Sequence, residues 1–166
     1  MTVVAALVTK TGWAYMGADI GASTEGSYSL MADPKIMAFY EDSLVGYAGS
    51  IQQGRRAFNF LMDTAGPNKV KAFEEAWTKD DYGDTDFLFV EAGRIYEVQS
   101  DGSVLEIRPC ANGSVYSAIG GGAPVALGAL YVDHIDLNSV LQAVDAASAH
   151  VPGIYGPPVL IECPPA

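Results

Sequence analysis

The chain opens with Thr2-Val-Val-Ala-Ala-Leu-Val-Thr9, then Lys10-Thr-Gly12, then Trp13-Ala-Tyr-Met-Gly-Ala18. Two short runs rich in β-branched and aromatic residues, joined by a turn that contains glycine, predict a β-hairpin. A buried strand that starts at the second residue is unusual. Chain starts fray unless something ties them down, so this terminus is expected to have a task of its own.

Downstream of the hairpin, residues 21–34 are rich in Gly, Ser and Ala and predict a turn-rich passage. Short strands are expected at residues 35–40 and 43–47. From Gly49-Ser50 a helical stripe of Ile51, Ala57, Phe58, Leu61 and Met62 runs to about Asp63, and Gly66-Pro67 stops it. A shorter helix is expected at residues 69–78. Strands follow at residues 85–91, 94–99, 104–108 and 115–119. Gly120-Gly-Gly-Ala-Pro124 introduces a helix to about Val132, and another covers residues 137–150, with Asn138 or Ser139 near its cap. A last strand lies within residues 157–163. Strands and helices thus come in blocks, which implies antiparallel sheets with helices on their outer faces, an α+β class. Two such sheets packed together, each with a helix pair outside, would make a four-layer αββα sandwich. A length of 166 residues suits one domain over residues 1–166.

Nine basic residues against twenty acidic ones give a net charge of −11. That surface repels phosphate backbones and argues against a nucleic-acid partner. No apolar stretch approaches the about 18–20 residues that span a bilayer, and the start lacks a basic region of the signal-peptide kind. A cytoplasmic protein without a membrane partner is expected. Two cysteines, Cys110 and Cys163, and two histidines, His134 and His150, show no metal-ligand spacing. Neither a metal nor a cofactor is expected.

Thr2-Val-Val-Ala, Met16-Gly-Ala-Asp19, Asp33-Pro-Lys35-Ile36 and Gly46-Tyr-Ala-Gly49 resemble the front half of a proteasome β-subunit. The likeness is to the N-terminal-nucleophile (Ntn) hydrolase family, near its simpler bacterial proteasome-related peptidases. That family starts its mature chain with threonine on the first strand. An aspartate follows the second strand, a lysine stands in a Lys-Ile or Lys-Val pair, and Gly-x-x-Gly precedes the first long helix. Asp19 and Lys35 lie sixteen apart, the family's spacing, and Thr2 to Asp19 is seventeen, one longer. The run Ser117-Ala-Ile-Gly-Gly-Gly-Ala-Pro124 resembles the family's Gly-Ser-Gly helix start, with Gly121 in the serine's place.

The resemblance implies roles. Thr2 is the nucleophile and, through its own α-amino group, the base; Lys35 activates it, Asp19 orients the lysine, and Gly49 donates to the oxyanion. Ala22, Asp33 and Gly46 line the pocket beside the scissile bond, Asp33 favouring basic side chains and Gly46 leaving the pocket deep. The implied activity is a threonine-type peptidase in a self-compartmentalising homo-oligomeric ring, a hexamer or heptamer that can be stacked. Its substrates would be peptides or unfolded proteins, and an ATPase is a candidate partner.

Chemistry explains the grouping. A threonine hydroxyl is a poor nucleophile without an adjacent base. An α-amino group, with a reference pKa of about 7.7–8, can be that base only if threonine comes first, so Met1 must be removed. A lysine ammonium stabilises the developing alkoxide, and an aspartate compensates the lysine's buried charge. Backbone N–H groups at a glycine can reach the tetrahedral oxyanion. Two other readings stay open: a catalytically inactive scaffold or binding module with the same fold, and an amidohydrolase with a small-molecule substrate.

Overall fold

The computed structural model describes residues 1–24 and 27–165. In chain order its elements are β1 (Val4–Val8), β2 (Ala14–Ala18), β3 (Gly21–Thr24), β4 (Ser27–Leu30), β5 (Ile36–Ala38) and β6 (Ser43–Ala48). Helices α1 (Ile51–Asp63), α2 (Lys69–Ala76) and α3 (Lys79–Tyr82) follow, then β7 (Asp86–Glu91), β8 (Arg94–Val98), β9 (Val104–Glu106) and β10 (Val115–Ile119). The chain closes with α4 (Ala123–Val132), α5 (Leu137–His150) and β11 (Val159–Cys163). The fold is mixed α/β with antiparallel sheets.

The opening hairpin forms with Val4 opposite Ala18 and Val8 opposite Ala14. It lies inside a four-stranded sheet of order β10-β1-β2-β11, and a five-stranded sheet runs β5-β6-β7-β8-β9. β1 is buried at every position because successive side chains point to opposite faces and both faces are covered. Val4, Ala6 and Val8 cluster with Leu44, Leu88 and Val90 of the other sheet. Val3, Ala5 and Leu7 cluster instead with Leu130, Val140 and Val144 of α4 and α5. The larger sheet divides in the same way. Val45, Phe87 and Phe89 turn from the first cluster to meet Ala57, Leu61 and Phe73 of α1 and α2.

Several local expectations need correction. The passage predicted as turns, residues 21–34, holds β3 and β4, paired with Gly21 opposite Leu30 and Ala22 opposite Ser29. Ser27, Ser29 and Leu30 are exposed, and the alternation in Ser27-Tyr-Ser-Leu30 spans only four residues, the shortest run that signals a strand. The second helical stretch ends at Ala76, and α3 follows it separately. There the Thr78 and Asp81 side chains cap each other's backbone N–H groups. Asn138 and Ser139 do lie near the cap of α5; the cap itself is Asp136, which accepts from the Asn138 N–H at 2.9 Å. Ser139, the third residue of the helix, reaches back to accept the Asp136 N–H.

The core has a consequence at high pH. Burial pushes the Tyr82 phenol up to about 12 and the Cys163 thiol up to about 11. Unfolded, the two groups ionise at their ordinary values of 10.0 and 9.0. A raised acid contributes stability in full below its unfolded pKa and loses it as pH climbs to the folded one. Stability is therefore expected to fall between pH 9 and 12. Denaturant midpoints followed by circular dichroism across that range check this; a flat profile would be the contrary result.

Candidate active site

Asp19 follows β2 and is fully buried, with its side chain 0% exposed. Its carboxylate accepts the Val3 N–H at 3.0 Å and the Gly21 N–H at 3.1 Å. Both donors come from the backbone, so the position of this charge is set by β1 and β3. Lys35 immediately precedes β5, and its carbonyl accepts the Tyr47 N–H of β6 at 3.1 Å. The Lys35 side chain is 3% exposed, and its ammonium donates to both Asp19 oxygens, at 2.9 and 3.0 Å. A third donation reaches Thr2 Oγ1 at 3.0 Å. Burial lowers the Lys35 pKa, and the Asp19 charge and hydrogen bond raise it part of the way back.

The three donors of the ammonium are thus all engaged. Thr2 Oγ1 receives one of them, which leaves the threonine's own proton to be taken by a base elsewhere. Thr2 is held by its backbone: its carbonyl accepts the Gly122 N–H at 3.1 Å. With Met1 attached, the Thr2 nitrogen is an amide and offers no basic lone pair. The Thr2 hydroxyl, the Lys35 ammonium and the Asp19 carboxylate are thus brought together.

A cavity of about 610 Å³ opens over this group, lined by Met1, Thr2, Ala22, Lys35, Gly49 and Gly121 among others. Gly49 has φ +135°, and a Cβ there would stand 2.8 Å from the Asp84 carbonyl and from Thr85 Cα. Only glycine takes that backbone comfortably. The next residue is fixed by Ser50 N–H donating to Thr85 Oγ1 at 3.0 Å, and Ser50 in turn caps α1.

Of the residues expected to bind substrate, Ala22 lines the cavity, on β3. Asp33 and Gly46 do not, and this corrects the expectation. Asp33 is exposed and paired with Arg55 at 2.5 Å, beside a separate cavity that includes Met37, Tyr47 and Phe58. Gly46 faces the contact between the sheets. A Cβ there would lie 2.6 Å from Val4 Cγ1 and 2.9 Å from Ile36 Cγ2. Those two residues are sequence neighbours of the Thr2 and Lys35 region, so the glycine allows the two sheets to approach beside the site. It shapes the position of the pair and lines no pocket. The sequence reading also missed Asp84 and Asp86, which reach the cavity from the start of β7. No local pattern marks them, because the pairing of β6 with β7 brings them there.

No family model matches the chain, and no curated protein matches it. Solved structures do. "Thiobacillus denitrificans BPH in complex with Epoxomicin" is 20% identical, with a TM-score of 0.77 and all of both chains covered. Eukaryotic HslV from Trypanosoma brucei is 17% identical, with a TM-score of 0.71 over 98% of this chain and 99% of that one. Anbu, the ancestral β-subunit, from Yersinia bercovieri is 12% identical, with a TM-score of 0.76 over 98% and 81%. At these identities the likeness is one of fold, and the fold is the one that BPH, HslV and Anbu share.

Proposed function

We propose that the chain, once it begins at Thr2, is a threonine-type peptidase. The observation that carries this reading is the Lys35 ammonium 3.0 Å from Thr2 Oγ1 and locked on buried Asp19. In the proposed reaction the freed Thr2 amine takes the hydroxyl proton as Oγ1 attacks the scissile carbonyl. Lys35 stabilises the charge that develops on Oγ1, and the Gly49 N–H donates to the carbonyl oxygen. The C–N bond then breaks, and the amine's proton passes to the leaving nitrogen. The ester left on Thr2 is hydrolysed by a water that gives its own proton to the same amine, and Oγ1 recovers a proton when the ester opens.

The wider reading is one domain over residues 1–166, built as a four-layer αββα sandwich, working cytoplasmically in a homo-oligomeric ring of six or seven. Peptides or unfolded proteins are its substrates, and an ATPase is a candidate partner. Its support is the shared fold with HslV and Anbu, together with described helices none of which is long and apolar enough to cross a membrane. Ala22, the expected substrate-binding residue that lines the Thr2 cavity, keeps that role.

Intact-protein mass before and after treatment with a peptide epoxyketone tests the reading. The choice of probe follows from the BPH structure that holds epoxomicin. Loss of Met1 and one stoichiometric adduct are expected. A second reading is an inactive scaffold: while Met1 is attached, its side chain lies in the cavity against Gly121, and the Thr2 nitrogen is no base. Retained Met1 with no adduct would select the scaffold.

A further inference from the structure

We propose that the space over Gly121 is a subsite for an unbranched apolar side chain on the leaving-group side of the scissile bond. The proposal rests on the peptidase reading and adds to it which substrate residue this end of the cavity selects.

Met1 marks the space. A Cβ on Gly121 would stand 2.1 Å from Met1 Sδ and 3.4 Å from Met1 Cε. Gly121 does not have a left-handed φ, so its backbone would accept any residue. What a side chain at this position would meet is the methionine thioether. On the other side, a Cβ on Gly153 would meet Met1 Cβ at 3.4 Å and Met1 N at 3.7 Å. Gly153 has φ +85°, a conformation that disfavours any other residue. Two glycines therefore border a notch that a methionine side chain occupies.

The chemistry assigns the notch to the leaving side. In the chain that carries Met1, residue 1 is bonded to the Thr2 nitrogen. In the processed chain that nitrogen must hand a proton to the leaving amine, so the leaving residue has to come within hydrogen-bond reach of it. Removing Met1 empties the volume next to that nitrogen, and the leaving residue's side chain enters there. A long unbranched chain fits as methionine does, its base beside Gly153 and its far end over Gly121, whereas a branch at Cβ would widen the side chain at Gly153.

The test uses the chain beginning at Thr2, with epoxyketone labelling as the control for a working nucleophile. Peptides differing only in the residue after the cleaved bond carry norleucine, valine or glycine there. The kcat/KM for norleucine is expected to exceed that for glycine by about tenfold or more, with valine below norleucine. Gly121→Ala and Gly121→Ser are each expected to bring the norleucine-to-glycine ratio close to one. A second measurement needs no variant. Norleucinamide added to the reaction should capture the acyl group from Thr2 better than glycinamide, forming a new amide bond while Oγ1 regains its proton. Labelling without a norleucine preference in either assay, or a preference kept in both variants, would overturn the subsite alone. No labelling and no cleavage of any peptide would overturn the peptidase reading and the subsite with it.

Discussion

Replacing Lys35 by alanine is expected to lower peptide turnover by about 10³-fold or more in the chain beginning at Thr2, and to abolish epoxyketone labelling. The ammonium is the cation placed on Thr2 Oγ1, at 3.0 Å, and is itself 3% exposed. In so dry a position its charge acts on the developing alkoxide with little screening. The variant should still fold, because Asp19 keeps two backbone donors, the Val3 and Gly21 N–H groups. Circular dichroism establishes folding, and labelling and cleavage rates establish function. A folded variant that keeps its activity would rule out the assigned mechanism. Because burial lowers the Lys35 pKa, the alkaline fall in the parent's activity should begin below the pH at which an ordinary lysine titrates.

Asp19→Ala is expected to cost about 3–5 kcal/mol of stability at neutral pH. It leaves the Lys35 charge buried without its counter-charge, and it takes away the acceptor of two backbone N–H groups. The pH dependence separates these causes. Asp19 is what raises the Lys35 pKa against burial, so the variant's lysine is depressed further below its ordinary value of 10.5. A depressed lysine contributes stability above its unfolded pKa and loses it as pH falls through the folded one. The deficit relative to the parent should therefore narrow as pH rises toward 10.5, as the lysine neutralises in both states. Urea midpoints of the two proteins measured in parallel give that difference, with the alkaline losses from Tyr82 and Cys163 common to both. A deficit equal at every pH would mean that the lost backbone acceptor, and not the desolvated lysine, explains the effect.

Much of the fold was legible because its signals are local. The opening hairpin, the apolar stripe of α1 and the punctuation at Gly66-Pro67 depend on period and turn chemistry within a few residues. The uninterrupted apolar run of β1 already required cover on two faces, and both covers are present. β3 and β4 escaped because each is only four residues long and rich in Gly, Ser and Thr, which read locally as turn residues. In the site, Thr2, Asp19 and Lys35 could be picked from their resemblance, in order and spacing, to the proteasome β-subunit pattern. Their 2.9–3.0 Å contacts follow from where β1, β2 and β5 are anchored.

Asp33, Gly46 and Gly121 show where the sequence stopped. Asp33, two before Lys35, reads by resemblance as a pocket residue until its pairing with Arg55 of α1, 22 positions away, places it at another cavity. Gly46, three before Gly49, reads by resemblance as pocket depth until Val4 and Ile36 are found against it. Gly121 reads as a missing serine, and only the fold shows the methionine side chain in the room it leaves. Residue type and order along the chain determine which chemistry is available and which segments become strands or helices. Which side chains share one cavity depends on the close approach of distant segments, and a linear sequence does not encode that separation in any short-range pattern.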